Sequence, residues 1–449
     1  MFHLRVGVRF ALVGLLVVGV LALVGCASQP QPTAAVPNQS QAANAPAAKT
    51  EPVNLRFTVW SGNEAHLALL NGIADEYRKT NPNVTVKYDV IPVSDYVSKI
   101  TVQLAGGSPP DAGWILERTA PTFVSAGVLV DLAPTVKAKA DYNLADFSQP
   151  ALGLWTKGDA VYGIPFSTSP FFVFYNEDMF KAAGVETPQQ LLAKNQWTWE
   201  NLAKSAKAVL KGAPQGTYGF ATEDGGIYTQ TGSFQNIVPI LRAYGGEAWN
   251  PEGTKCLLDT PESVAAIKLY HDMVYVDKSA PPPGQQADYY AGTAAMTIGQ
   301  LSRVARLKDA KFKWDVVPLP AGPKSQPYVI GQAAIGVFNA SKNKEVAKDF
   351  VAFMTSKDNV AKLAQFFPPA RVSVLEGDAL LKANPQVPAD RMKQVVVEGI
   401  KQGAVLTAHP DFPKIELTAQ PEFDKLWKAG VDVQATMTGM CKALAPLLK

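Results

Sequence analysis

Hydrophobic and polar positions set out the architecture from residue 55 onward. Leu55, Phe57 and Val59 alternate with Arg56 and Thr58, a period of two that predicts a strand ending at Trp60. Leu67, Leu70, Ile73, Ala74 and Tyr77 then recur at helical spacing, and Asn81-Pro82-Asn83 stops the helix. Val84, Val86, Tyr88 and Val90 alternate again. Tyr96, Ile100 and Leu104 mark a second helix, with Ser94 or Asp95 as its cap, and Ala112 to Leu116 is a short apolar strand. A βαβαβ run of this kind predicts a largely parallel sheet with helices on both faces. Ligands of such sheets bind beyond the carboxyl ends of the strands. Trp60 to Glu64 lie at one such end and Trp114 to Arg118 at another.

A second α/β unit begins after Pro165. Phe171 to Tyr175 reads as a strand and Glu177 to Ala183 as a short helix closed by Gly184. Thr198 and Thr260 are helix caps, the latter with Pro261 at the first helical position and Val264, Ile267, Tyr270, Met273 and Val274 facing inward. Trp314 to Leu319 and Tyr328 to Phe338 read as strands, and Asn343 to Met354 as a helix.

The first residues carry a different pattern. Arg5 and Arg9 precede an apolar and glycine run from Phe10 to Val24, too short for the ~20 residues of a membrane span and suited to a signal peptide. It ends in Leu23-Val24-Gly25-Cys26, which resembles the bacterial lipoprotein signal; that resemblance implies cleavage after residue 25 and lipid on Cys26. Residues 26–52 are rich in Ala, Pro, Gln, Ser, Thr and Asn, the composition of a disordered tether. The chain has 449 residues, 47% hydrophobic and 18% charged, enough for two cores, and a formal net charge of +3. It contains no basic block, so no nucleic-acid partner is expected. Of three cysteines, Cys26 is accounted for by lipid. The even remainder in an oxidising compartment points to a Cys256–Cys441 disulfide, with two separate buried thiols as the alternative.

Taken in order, Asn81-Pro82-Asn83-Val84, Gly107-Ser108-Pro109-Pro110-Asp111, Tyr162-Gly163-Ile164-Pro165, Tyr175-Asn176-Glu177-Asp178-Met179-Phe180, Trp197-Thr198-Trp199-Glu200-Asn201-Leu202, Gly292 to Ile298 and Pro368-Pro369-Ala370-Arg371 resemble the family 1 extracellular solute-binding proteins of bacterial ABC importers, the maltose-binding-protein-like group. The resemblance implies an α/β, two-lobed periplasmic-binding-protein fold of type II with the ligand cleft between the lobes. Lobe 1 would comprise 53–166 plus 332–384, and lobe 2 would comprise 167–331 plus 385–449. It also implies a monomeric binder of a mono- or oligosaccharide, closing on its ligand and delivering it to permease subunits at the outer face of the cytoplasmic membrane or in the periplasm. No cofactor and no metal are expected. A glycerol-phosphate-type ligand and a secreted glycoside hydrolase are the alternatives.

Sugars need flat apolar surfaces for their C–H faces and fixed polar groups for their hydroxyls. The candidates on the first lobe are Trp60, Asn63, Glu64, Asp95, Trp114, Glu117 and Arg118. Trp114 resembles a stacking position of the relatives, and Glu117 with Arg118 a charged pair that grips hydroxyls. Helix capping competes for Asn63, Glu64 and Asp95. On the second lobe the candidates are Thr168, Tyr228 and Gln300, with Arg371 after the Pro-Ala pair. Relatives follow the glycine at position 299 with a stacking tryptophan; here the sequence is Gly299-Gln300-Leu301-Ser302. Isolated His66, His271 and His409 have no metal-ligand spacing, and no nucleophile elbow occurs, so enzymatic activity is not expected.

Overall fold

The computed structural model describes residues 51–222, 233–285 and 287–449. Cys26 and Tyr228 lie outside them. Strand β1 (Val53–Val59) runs parallel to both β2 (Val84–Val90) and β3 (Ala112–Leu116). The crossovers are helices α1 (Glu64–Thr80) and α2 (Val93–Ala105). Asn63 caps α1 by accepting from the Ala65 and His66 amides, Glu64 sits in its first turn, and Arg78 and Lys79 close its last, as the helix dipole favours. Its buried stripe is His66, Leu70, Ile73, Ala74 and Tyr77, so a histidine takes an inward place and Leu67 is only partly buried. Helix α2 departs from expectation: Pro92 stands at its N-cap, and Asp95 pairs instead with Lys99 at 3.4 Å on the exposed face.

Strand β4 (Ile164–Pro170) and the long strand β7 (Val329–Val337) complete this sheet and link it to the rest of the molecule. β7 is antiparallel to β3, with Val337 opposite Ala112 and Ala333 opposite Leu116. Its other edge is antiparallel to β4, with Gln332 opposite Thr168 and Ile330 opposite Pro170. The near end of β7 pairs in parallel with Ala404–Val405. One residue past β4, β5 (Phe172–Asn176) forms the centre of a separate three-stranded antiparallel sheet, flanked by Met296–Gly299 and by β6 (Trp314–Pro318).

Two large cores follow. The first packs Leu55, Phe57, Trp114, Ile115 and Phe166 with Ile335, Phe350 and Phe367. The second packs Val173, Trp197, Trp199, Tyr270, Val317 and Phe423. A smaller cluster joins Phe172, Phe174 and Val316 to Val360, Leu380 and Val395. Cys256 and Cys441 form a disulfide with Cα atoms 5.4 Å apart. It fixes the final helix, Val433–Leu444, to the segment preceding helix Pro261–Tyr275. Thr260 caps that helix by accepting from the Ser263 amide, and Thr198 caps Trp199–Ala208 in the same way from Asn201. Gly184 closes Glu177–Ala183 at φ 68°, a left-handed conformation open to glycine at low cost.

Candidate functional site

A cavity of about 160 Å³ opens where β1, β3, β4 and β7 meet the 3₁₀ turn Leu301–Leu307 that follows Met296–Gly299. Its apolar surface comes from Trp60, Phe166 and Phe367. These rings share one support. Trp114 stacks on Phe166 at 4.9 Å between centroids and meets Trp60 and Phe367 edge-on at 4.8 and 5.4 Å. Tyr96 holds Trp60 from another side at 5.2 Å and donates its hydroxyl to Thr58. Edge-to-face aromatic pairs of this kind add to the stabilisation from burial alone.

The back wall is a polar network spread over three strands. The Gln332 backbone amide donates to Glu117 Oε2 at 3.1 Å. Its side-chain oxygen accepts from Trp155 Nε1 at 2.9 Å, and its Nε2 donates to Thr168 Oγ1 at 3.4 Å. Burial pushes the Glu117 carboxyl above the usual carboxylate range, against the pull of Arg118 and of its hydrogen bonds. Gln300 donates to the Ser169 carbonyl at 2.8 Å. Position 331 must be glycine for that approach, because a Cβ there would stand 2.5 Å from Gln300 Nε2.

At the other wall His66, 4% exposed, packs against Phe366 and Phe367 at 4.7 and 5.0 Å. Its Nδ1 is 2.7 Å from Ser61 Oγ, and its Nε2 is 3.1 Å from the Ser302 carbonyl of the opposite wall. Burial lowers its pKa from 6.5 to about 4; the Ser302 bond opposes the shift and Arg303 assists it.

Several sequence candidates meet here: Trp60, Glu117 and Gln300 line the cavity. Others do not. Trp114 does not line the cavity but lies beneath the rings that do, so the contact surface expected of it falls chiefly to the partly exposed Trp60, with the buried Phe166 and Phe367 behind it. Arg118 turns behind the wall toward Glu416, 3.9 Å away, whose carboxyl burial raises. Arg371 is 1% exposed. It donates to the Thr355, Asn143 and Tyr142 carbonyls, pairs with Asp146 at 3.2 Å, and lies over the Phe147 and Tyr142 rings. That guanidinium ties core segments together and does not line the cavity. Asn63 is used as a cap, Glu64 is exposed in the first turn of α1, Asp95 is on an outer face, and Thr168 supports Gln332 from behind.

Sequence reasoning missed Ser61, His66, Phe166, Ser167, Arg303, Gln332 and Phe367. One signal was available for Gln332: it is a lone amide in the otherwise apolar run Val329–Val337. Phe166 and Phe367 carry no local signal, because only pairing and packing turn them to the same side.

Residues 61–361 match the bacterial extracellular solute-binding protein family. The chain is 26% identical over 353 residues to the arabinooligosaccharide-binding protein of Bacillus subtilis, covering 73% of this chain and 76% of that protein. It is 25% identical over 331 residues to the sn-glycerol-3-phosphate-binding periplasmic protein of Pectobacterium atrosepticum, covering 68% and 70%. An ABC substrate-binding protein of Listeria monocytogenes, solved in complex with cycloalternan, superposes with a TM-score of 0.76 at 24% identity, covering 88% of this chain and 99% of that one. That likeness shows the two-lobed fold of the periplasmic solute-binding proteins. With residues 61–361 spanning β2, β3, β4 and β7 of the first sheet, all three strands of the second and most of the cavity wall, the chain belongs to the bacterial extracellular solute-binding proteins, which bind solutes and are not enzymes.

Proposed function

We propose that this protein captures a mono- or oligosaccharide in the cleft by closure of its lobes and hands it to the permease of an ABC importer. The observation that carries the reading is the make-up of the cavity: an aromatic face from Trp60, backed by the buried Phe166 and Phe367, beside polar edges from Ser61, Glu117, Ser167 and Gln300. That combination suits a ligand with apolar C–H faces and a rim of hydroxyls. The lobes are assigned to 53–166 plus 332–384 and to 167–331 plus 385–449; the two large cores fall on either side of that division, and the smaller cluster of Phe172, Val316, Val360 and Leu380 spans it. A lipid on Cys26 and the tether up to residue 52 would hold a monomeric body near the membrane, since two hydrophobic signals suffice for stable anchoring. The phosphate reading would rest on Arg303, which lines the cavity, because Arg118 and Arg371, the arginines assigned to it, do not.

The test is a thermal-shift panel of L-arabinose, D-glucose, maltose and sn-glycerol 3-phosphate. A sugar present at 100 times its Kd adds about 2.7 kcal/mol to stability and raises the melting temperature. A shift with glycerol phosphate alone, or with none of the sugars, overturns the sugar reading. Palmitate labelling that persists in a Cys26→Ser variant overturns the anchor assignment.

A further inference from the structure

The Ser61–His66–Ser302 chain crosses the cleft and fixes the direction of each hydrogen bond in it. Ser302 contributes a backbone carbonyl, which can only accept. The imidazole Nε2 must therefore carry the proton, and Nδ1 is left as an acceptor. Ser61 Oγ, 2.7 Å from Nδ1, must spend its single proton there. The same oxygen already accepts from the Asn63 amide at 3.3 Å. Ser61 lines the cavity, so it meets a ligand with its proton committed and one lone pair remaining.

We infer that His66 is a positioning residue that makes Ser61 an obligate hydrogen-bond acceptor toward ligand, and that it does so only while the Ser302 carbonyl of the opposite wall is in place. The ligand feature selected is a hydroxyl that donates; a ligand with an ether or a bare hydrogen at that point leaves Ser61 unsatisfied. The inference rests on the sugar reading for the ligand class, but the polarity of Ser61 rests on the protein alone. Closure and recognition are thus joined in one ring. When the lobes part, the carbonyl leaves and nothing there dictates the tautomer. The ring is held for this role by Phe366 and Phe367, which bring no charge. The charged groups near it are Arg303 on the facing turn, Glu64 on its own helix and Glu117 across the cavity.

Protonation reverses the arrangement. An imidazolium donates from Nδ1, so Ser61 turns its own proton toward the ligand. Neutral His66 is what the closed form requires, and its pKa there is lowered from 6.5 to about 4. Ligand binding therefore weakens as pH falls toward about 4 and the ring takes up a proton.

Selective 15N-histidine labelling of the intact protein reads the tautomer directly, with His66→Phe assigning the signal. That variant keeps the ring packing and removes both nitrogens. At pH 7, with a panel sugar at saturation, the Nε2–H tautomer is expected; an Nδ1–H tautomer or a charged ring there overturns the inference. Binding of the panel sugars then tests the relay. Ser61→Ala and His66→Phe should each weaken binding about ten-fold, and the double variant no further. His66→Phe should also abolish the fall in affinity as pH drops toward 4. Additive losses near a hundred-fold, or an unaltered pH profile in His66→Phe, overturn the inference. Should no panel sugar bind the wild-type protein, the sugar reading fails, and the tautomer is then read with sn-glycerol 3-phosphate bound, where an Nδ1–H ring overturns the polarity assigned to Ser61.

Discussion

The two walls of the cleft are built by different means. One is a stack of rings: Trp60, Phe166 and Phe367 seated on a buried Trp114, itself on the strand β3 that carries the first core. The other is a short 3₁₀ turn, Leu301–Leu307, that presents a backbone carbonyl, the Gln300 amide and Arg303. Rings that pack on one another hold their positions whether or not the opposite wall is near. A carbonyl at the far wall acts on His66 only when the lobes are together. The comparison teaches that the apolar face of the site is set by packing among rings of one core, whereas the polar contact depends on a turn brought in from a distant part of the chain.

Breaking the supports separates these contributions. The largest effect is expected from reducing the Cys256–Cys441 bond, which closes a separation of 185 residues within the second core. Chain entropy assigns it roughly 5 kcal/mol. Denaturant titration with and without reductant should show the loss in the transition of the second lobe, with the tryptophan stack of the first unaffected. Trp114→Ala comes next, with a loss of about 3–5 kcal/mol for a buried ring and binding abolished along with it. A folded Trp114→Ala protein of near-native stability that merely binds weakly would return Trp114 to the contact surface. Arg371→Ala should cost about 3 kcal/mol, because Asp146 and three carbonyls lose their donor. Once folded it should bind panel sugars with unchanged Kd, which titration calorimetry measures. Trp60→Ala reverses that signature: its ring is only partly buried, so stability falls by about 1 kcal/mol or less while affinity drops about ten-fold. The smallest change is expected for Gln300→Ala, a loss of about three- to ten-fold in affinity, since one amide is removed and the Ser169 carbonyl loses its donor.

The strands and helices were legible where a local rule governs them. Thr198 and Thr260 cap the helices they precede, Gly184 ends Glu177–Ala183, and the alternation through β1 and β2 marks parallel neighbours. The first departure inside an element is the stripe of α1. Its periodicity points Leu67 inward, but His66 holds the buried place because Phe366, Phe367 and Ser302, all remote in sequence, supply its packing and its bond. All three histidines within the described residues that looked isolated along the chain bond to distant backbone carbonyls: His66 to Ser302, His271 to Lys428 and His409 to Gly253. None of those partners is visible from sequence spacing.

By itself the sequence determined the strands and helices of an α/β chain, an apolar N-terminal run ending at a cysteine, an even remaining pair of cysteines and a family motif order. These follow from period, composition and capping, which act over a few residues at a time. Which aromatic residue meets the ligand and which supports it was decided only by tertiary structure. Trp60 and Trp114 look equivalent as strand-end tryptophans, yet one is capped by solvent and the other by Phe166 from β4 and Phe367 from the final return. Arg371 was decided in the same way, by carbonyls more than two hundred residues away at Asn143 and Tyr142. A side chain's role depends on the neighbours that fill its hydrogen bonds and cover its faces, and those neighbours are assigned by the fold.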